Sequence, residues 1–89
     1  MNQIQFIQSL EENGFPIPTI VSREADGFLD QHAHAFEAKA FILNGQINLQ
    51  VDGTAALYRE GEIFHLPAGQ MHAELYGPEG VQYLVGRKE

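Results

Sequence analysis

Glycine, proline and Asx-Gly pairs cut this 89-residue chain into short apolar segments, and that spacing constrains its fold more than any other feature. Asn44-Gly45 and Asp52-Gly53 read as hairpin turns, because Asn or Asp followed by Gly tolerates positive φ at both turn positions. Further breaks fall at Asp26-Gly27, Glu60-Gly61, Pro67-Ala68-Gly69 and Gly77-Pro78-Glu79-Gly80. The segments between them predict strands near residues 18–23, 28–34, 38–44, 46–51, 54–59, 62–66, 71–76 and 81–86. Strands this short, with turns about every eight to twelve residues, make a sandwich or a small barrel. Only the beginning differs. Ile4, Phe6, Ile7 and Leu10 recur at near-helical spacing, and Gly14 stands where a C-terminal cap would end a helix. Phe15-Pro16-Ile17-Pro18 rules out continuation, since proline lacks the amide hydrogen that a helix interior needs. The expected organisation is a helix over residues 1–14, packed on the barrel or on a partner subunit, and one barrel over 15–89.

Composition then removes several kinds of function. Twelve acidic side chains against five basic ones give a formal charge of −7, and the basic residues form no patch. Nucleic acid is therefore excluded as a partner, because phosphate binding draws its affinity from clustered Lys and Arg. The absence of cysteine removes disulfides, thiolate metal sites and cysteine nucleophiles together. The longest unbroken apolar runs, such as Ala40 to Leu43, are four residues, too short to cross a bilayer as a helix. Met1-Asn2-Gln3-Ile4-Gln5 lacks the basic start and apolar stretch of a signal peptide, so a cytoplasmic location is expected.

Two segments carry chemistry. In His32-Ala33-His34, two imidazoles stand two residues apart on an expected strand, and the period of two puts both on one face. In Gly61-x5-Pro67-x-Gly69-x2-His72, a strand ends in a Pro/Gly turn and the next begins with histidine. If those strands are neighbours, His72 completes a set of three nitrogens. Imidazole suits zinc, copper, iron and nickel, and three protein ligands leave positions open for water or substrate. The fourth histidine, His65, lies between Phe64 and Leu66, and alternation turns it outward when they face the core.

With Gly27…His32-x-His34…Gly45 as a first motif and Gly61-x5-Pro67-x-Gly69-x2-His72 as a second, the chain resembles the cupin superfamily of jelly-roll barrels over residues 20–86. The resemblance implies an all-β, cupin-type jelly-roll barrel with a short N-terminal α-helix. It also implies one divalent transition metal per chain (Fe, Zn, Ni, Mn or Cu), held by His32, His34 and His72. Departures bear on the ligand set. The family pattern places a glutamate four residues after the second histidine, where this chain has Ala38. Glu37 stands one residue earlier, and only a bulge would re-aim it. Glu74, two residues after His72, shares its face by simple alternation and is the other candidate ligand or acid/base. Tyr76 replaces an asparagine often found in the second motif, and the first-motif glycine sits one residue closer to the histidines than usual.

Counting from His34, Phe36, Ala38, Ala40 and Ile42 share its face, and with Tyr76 they form the expected pocket wall. Lys39, Phe41 and Leu43 face the other way, so Phe41 and Leu43 need a cover from the helix or from a partner. The surplus of acids leaves any attraction for anionic ligands to the metal. The expected function is a metal-binding small cupin with an open coordination position acting on a small molecule. The resemblance makes it a dioxygenase-like or other metal-dependent enzyme, with Glu74 or Tyr76 as proton-transfer group. The alternative is a non-catalytic sensor module that binds a small ligand in the same barrel. A homodimer is expected from the small size and from the resemblance.

Overall fold

A computed structural model describes all 89 residues. Helix α1 (Gln3–Glu12) is closed at its start by a capping box. The Asn2 side chain accepts from the Gln5 amide and the Gln5 side chain accepts from the Asn2 amide, each at 2.9 Å. At the other end Gly14 takes φ 77°, and the Phe15 amide donates back to the Leu10 carbonyl, which ends the helix as the sequence predicts. Phe6 and Leu10 are fully buried against Phe41 and Leu84, with the Phe6 and Phe41 rings 5.5 Å apart. The helix is thus itself the cover that Phe41 and Leu43 require. No helix is long and apolar enough to cross a membrane.

Six strands follow: β1 (Thr19–Arg23), β2 (Phe28–His32), β3 (Glu37–Val51), β4 (Thr54–Arg59), β5 (Ile63–Leu66) and β6 (His72–Lys88). All pairings are antiparallel. The long strands β3 and β6 run side by side from Glu37↔Lys88 to Gln50↔Ala73 and form the spine. Their first and last stretches pair with β5 and β1 on one side of the barrel; their other halves pair with β4 and β2 on the opposite side. Between these layers lies a core of Ala40, Ile42, Ile47, Leu49, Phe64, Val81, Val85 and neighbours. This is the expected all-β jelly-roll architecture.

Six strands replace the eight predicted, because two of the turn signals are not turns. Asp52-Gly53 does form the β3–β4 hairpin, with φ of 51° and 77°. Asn44-Gly45 instead lies inside β3, where the β3·β6 register slips on both sides of it. Gly77 to Gly80 likewise lies inside β6. At Gly45 the positive φ of 74° serves a bulge that bends the strand from one layer into the other. The close approach of backbone there demands glycine as well: a Cβ on Gly45 would stand 2.1 Å from the Gly80 carbonyl oxygen.

Candidate metal centre

The two motifs meet at one end of the barrel, where β2 pairs with the start of β6 and His32 lies directly opposite His72. The β2·β6 register slips between Leu29 and His32, which sets the direction of the His32 side chain. His34 follows beyond the strand end and stacks on Phe36, with ring centroids 4.7 Å apart and planes 16° from parallel. The Pro67–Gly69 turn has a direct structural task. Gly69, at φ 81°, donates its amide to the His34 carbonyl at 2.8 Å, tying the second motif to the first.

The three imidazole centroids lie 4.2 to 5.2 Å apart, and His32, His34, His72 and Glu74 each offer a ligand atom within 4.8 Å of the others. His72 is fully buried and Glu74 is 7% exposed. Backbone carbonyls orient two of the rings. His32 Nδ1 meets the Asp30 carbonyl at 2.7 Å and His72 Nδ1 meets that of Gln70 at 3.0 Å. A carbonyl only accepts, so each Nδ1 carries a hydrogen, and in the neutral form that ligates a metal each ring presents its Nε2 lone pair inward. Those Nε2 atoms stand 3.3 and 3.2 Å from Glu74 Oε2. The other Glu74 oxygen accepts from the Tyr76 hydroxyl at 2.9 Å.

Lone pairs facing a carboxylate oxygen repel unless a proton or a metal cation lies between them. His32 Nε2 is buried and makes no hydrogen bond in spite of its nearness to Glu74. At His34 the proton is the disfavoured choice. Burial first, and then the neighbouring His32 and His72, hold the His34 pKa below its ordinary value of 6.5. Burial and the bond to Glu74 raise that of Tyr76, so its hydroxyl stays protonated and donates. The donor set therefore fits a transition metal: three imidazoles and one carboxylate, with His32, His72 and Glu74 oriented by hydrogen bonds on their far sides.

Beside this cluster lies a cavity of about 60 Å³, whose walls include His32, His34, Phe36, Ala38 and Glu74. Of the other residues expected in the pocket, Ala40 and Ile42 lie wholly within the core, and Tyr76 stands behind Glu74 as its hydrogen-bond donor. Glu37 is not brought to the histidines. It bonds His65 on the outer surface, where His65 is exposed as alternation predicts. The cavity walls also include Arg23, Tyr83, Val85 and Arg87, which the motifs and the parity count from His34 do not reach. A signal for them existed: Tyr83, Val85 and Arg87 alternate along β6, and Arg23 continues the inward parity of Val21 on β1.

Neither a family model nor a curated protein sequence matches this chain. Solved structures do. A conserved Streptococcus pyogenes protein of unknown function is 28% identical, with a TM-score of 0.70, over 81% of this chain and 62% of that one. A cupin domain from Schizosaccharomyces pombe is 20% identical, with a TM-score of 0.68, over 79% of this chain and 53% of the other. A DMSP lyase from Ruegeria pomeroyi is 24% identical, with a TM-score of 0.71, over 79% and 36%. This chain thus spans between 36% and 62% of the length of these three structures. Its fold is that of the cupin domain among these structures.

Proposed function

We propose that the protein is a metal-dependent enzyme that acts on a small molecule in the cavity beside the histidine cluster. The observation that carries this reading is the convergence of three imidazoles and Glu74, with His32, His34 and Glu74 at the wall of that cavity. His32, His34 and His72 would hold a divalent ion, with Glu74 as the further ligand. Such an ion, when bound, supplies Lewis-acid polarisation or an activated water. The chain's own residues do the rest. Asp30 and Gln70 carbonyls fix the two ring tautomers, and Tyr76 keeps Glu74 turned toward the imidazoles. Glu74 is the carboxylate at the cavity wall placed to accept a proton, and the Tyr76 hydroxyl behind it holds it in that position. The lyase among the structural neighbours supports an enzyme over a purely structural barrel.

Purified protein should carry about one transition metal per chain by elemental analysis. No metal after expression in supplemented medium, with no uptake on titration, would sink the assignment. Protons compete with the metal for the same Nε2 lone pairs, so acidification should release it. The lowered His34 pKa keeps that ligand neutral further into acid, and a pH titration of bound metal should show loss on acidification and none on raising the pH toward neutrality. Turnover separates the enzyme from a sensor. Small-molecule-dependent oxygen uptake by the iron form, or product formation with another metal, is expected; tight binding with no turnover would favour the sensor.

A homodimer belongs to the same reading. Phe28, Leu75 and Leu57 stand in one row across β2, β6, β3 and β4, with Asn48 between the two leucines. Phe28 is 63% exposed and Leu75 47%, and the Asn48 side-chain oxygen is buried without a hydrogen-bond partner. A second copy laid on this row would cover the apolar side chains and offer the amide a donor. Light scattering at micromolar concentration should give twice the 9.9 kDa chain mass; L75E should return it to the monomer.

A further inference from the structure

We infer that the cavity selects a small organic carboxylate, gripped by Arg23 and Arg87. This rests on the cavity being a small-molecule site, as proposed above. The chain has twelve acidic and five basic side chains, yet the cavity walls contain two of the basic ones and a single acidic one, Glu74. Glu74 already accepts from Tyr76 and faces the imidazoles. Neither arginine has a carboxylate within salt-bridge distance, since all three ion pairs of the protein are histidine–glutamate pairs. An acidic protein has thus lined the cavity beside its histidine cluster with two guanidiniums that have no carboxylate partner, Arg23 reaching the Tyr76 hydroxyl instead.

The arginines come from separate strands and face the same space. Arg23 ends β1 opposite Val81, and Arg87 lies near the end of β6 opposite Ala38. Both charges act on the Tyr83 hydroxyl, opposing the burial and the Glu74 charge that push its pKa up to about 12. Arg87 is braced over the Phe36 ring, 5.4 Å from its centroid, which leaves the edge of its planar fork for a ligand. Guanidinium matches carboxylate in a two-bond fork, and such charge-assisted bonds are the strong ones. The remaining walls, Leu29, Phe64, Leu66 and Val85, are apolar. An inorganic oxyanion would leave that surface unused, whereas a short organic acid covers it with its carbon chain.

The test uses the whole chain, stripped of metal, and butyrate, butyramide and inorganic phosphate as probes followed by amide NMR shifts. Butyrate should shift Tyr83 and Val85, and butyramide, of the same shape without the charge, should bind at least about tenfold more weakly. R23Q and R87Q should each raise the butyrate Kd about tenfold, and the double variant about a hundredfold. Equal binding of butyrate and butyramide by the unmodified protein would overturn the proposal, and that comparison needs no variant to fold. Tighter binding of phosphate than of butyrate would overturn the carboxylate assignment. Butyrate binding that persists in a protein unable to load metal would leave this inference standing while the metal reading fails.

Discussion

H72A is expected to leave the protein without bound transition metal. His72 is the fully buried member of the cluster, set at the start of β6 opposite His32. Its Nδ1 is committed to the Gln70 carbonyl, so its single inward lone pair is the one lost on truncation. Loss of a partner behind a metal ligand already lowers affinity about 10–100-fold, and loss of the ligand itself should exceed this. Elemental analysis should show the metal content falling from about one per chain to a residual trace. The control is H65A. That imidazole is exposed and paired with Glu37 on the outer surface, so its removal should leave loading unchanged. Equal metal content in the two variants would contradict the placement of the centre.

The largest effect on stability is expected from G45A. Alanine there must keep φ 74°, which strains an L residue by about 1–2 kcal/mol. Its Cβ would also stand 2.1 Å from the Gly80 oxygen and 2.9 Å from Val81 Cα, both backbone atoms held by the β3·β6 ladder. Nor can Gly80 retreat, because its own α-carbon is pressed so closely on β1 that a Cβ there would lie 2.4 Å from the Arg23 carbonyl oxygen. The total should exceed about 4 kcal/mol, a large part of the roughly 5–15 kcal/mol by which a domain is stable. G53A separates strain from collision. Gly53 has a similar φ of 77°, but an added methyl would meet nothing within 4 Å, so only the strain remains. Thermal unfolding should show G53A lowered by about 4–16 °C and G45A by at least twice that or not folded at all. Similar losses in the two would mean that the crossing of β3 over β6 is not as tight as described.

Residues whose surroundings are local in sequence were the legible ones. His32, His34 and His72 stood out by residue type and spacing, and Glu74 by its parity with His72. The capping box and Gly14 delimit α1 through contacts a few residues apart. What the sequence obscured was the difference between a turn and a crossing. Positive φ at glycine serves either one, and only the presence of Gly80 against Gly45, far away along the chain, decides for the crossing. The same long-range pairing brings Arg23 and Arg87 into a cavity with the histidines, where composition alone suggested that positive charge would come only from a metal.

Strand β6 carries His72 and Glu74 near its start and Tyr83, Val85 and Arg87 near its end, and it pairs with β3 along nearly all of its length. This arrangement has a kinetic consequence. Because Glu37 must find Lys88 and Gln50 must find Ala73, little of the spine can form from local contacts, and closing such loops makes folding a matter of milliseconds to seconds, to order of magnitude. Ligand cluster and cavity wall are then delivered by the docking of a single strand. Until that strand pairs, His32 and His34 have neither His72 nor Glu74 beside them.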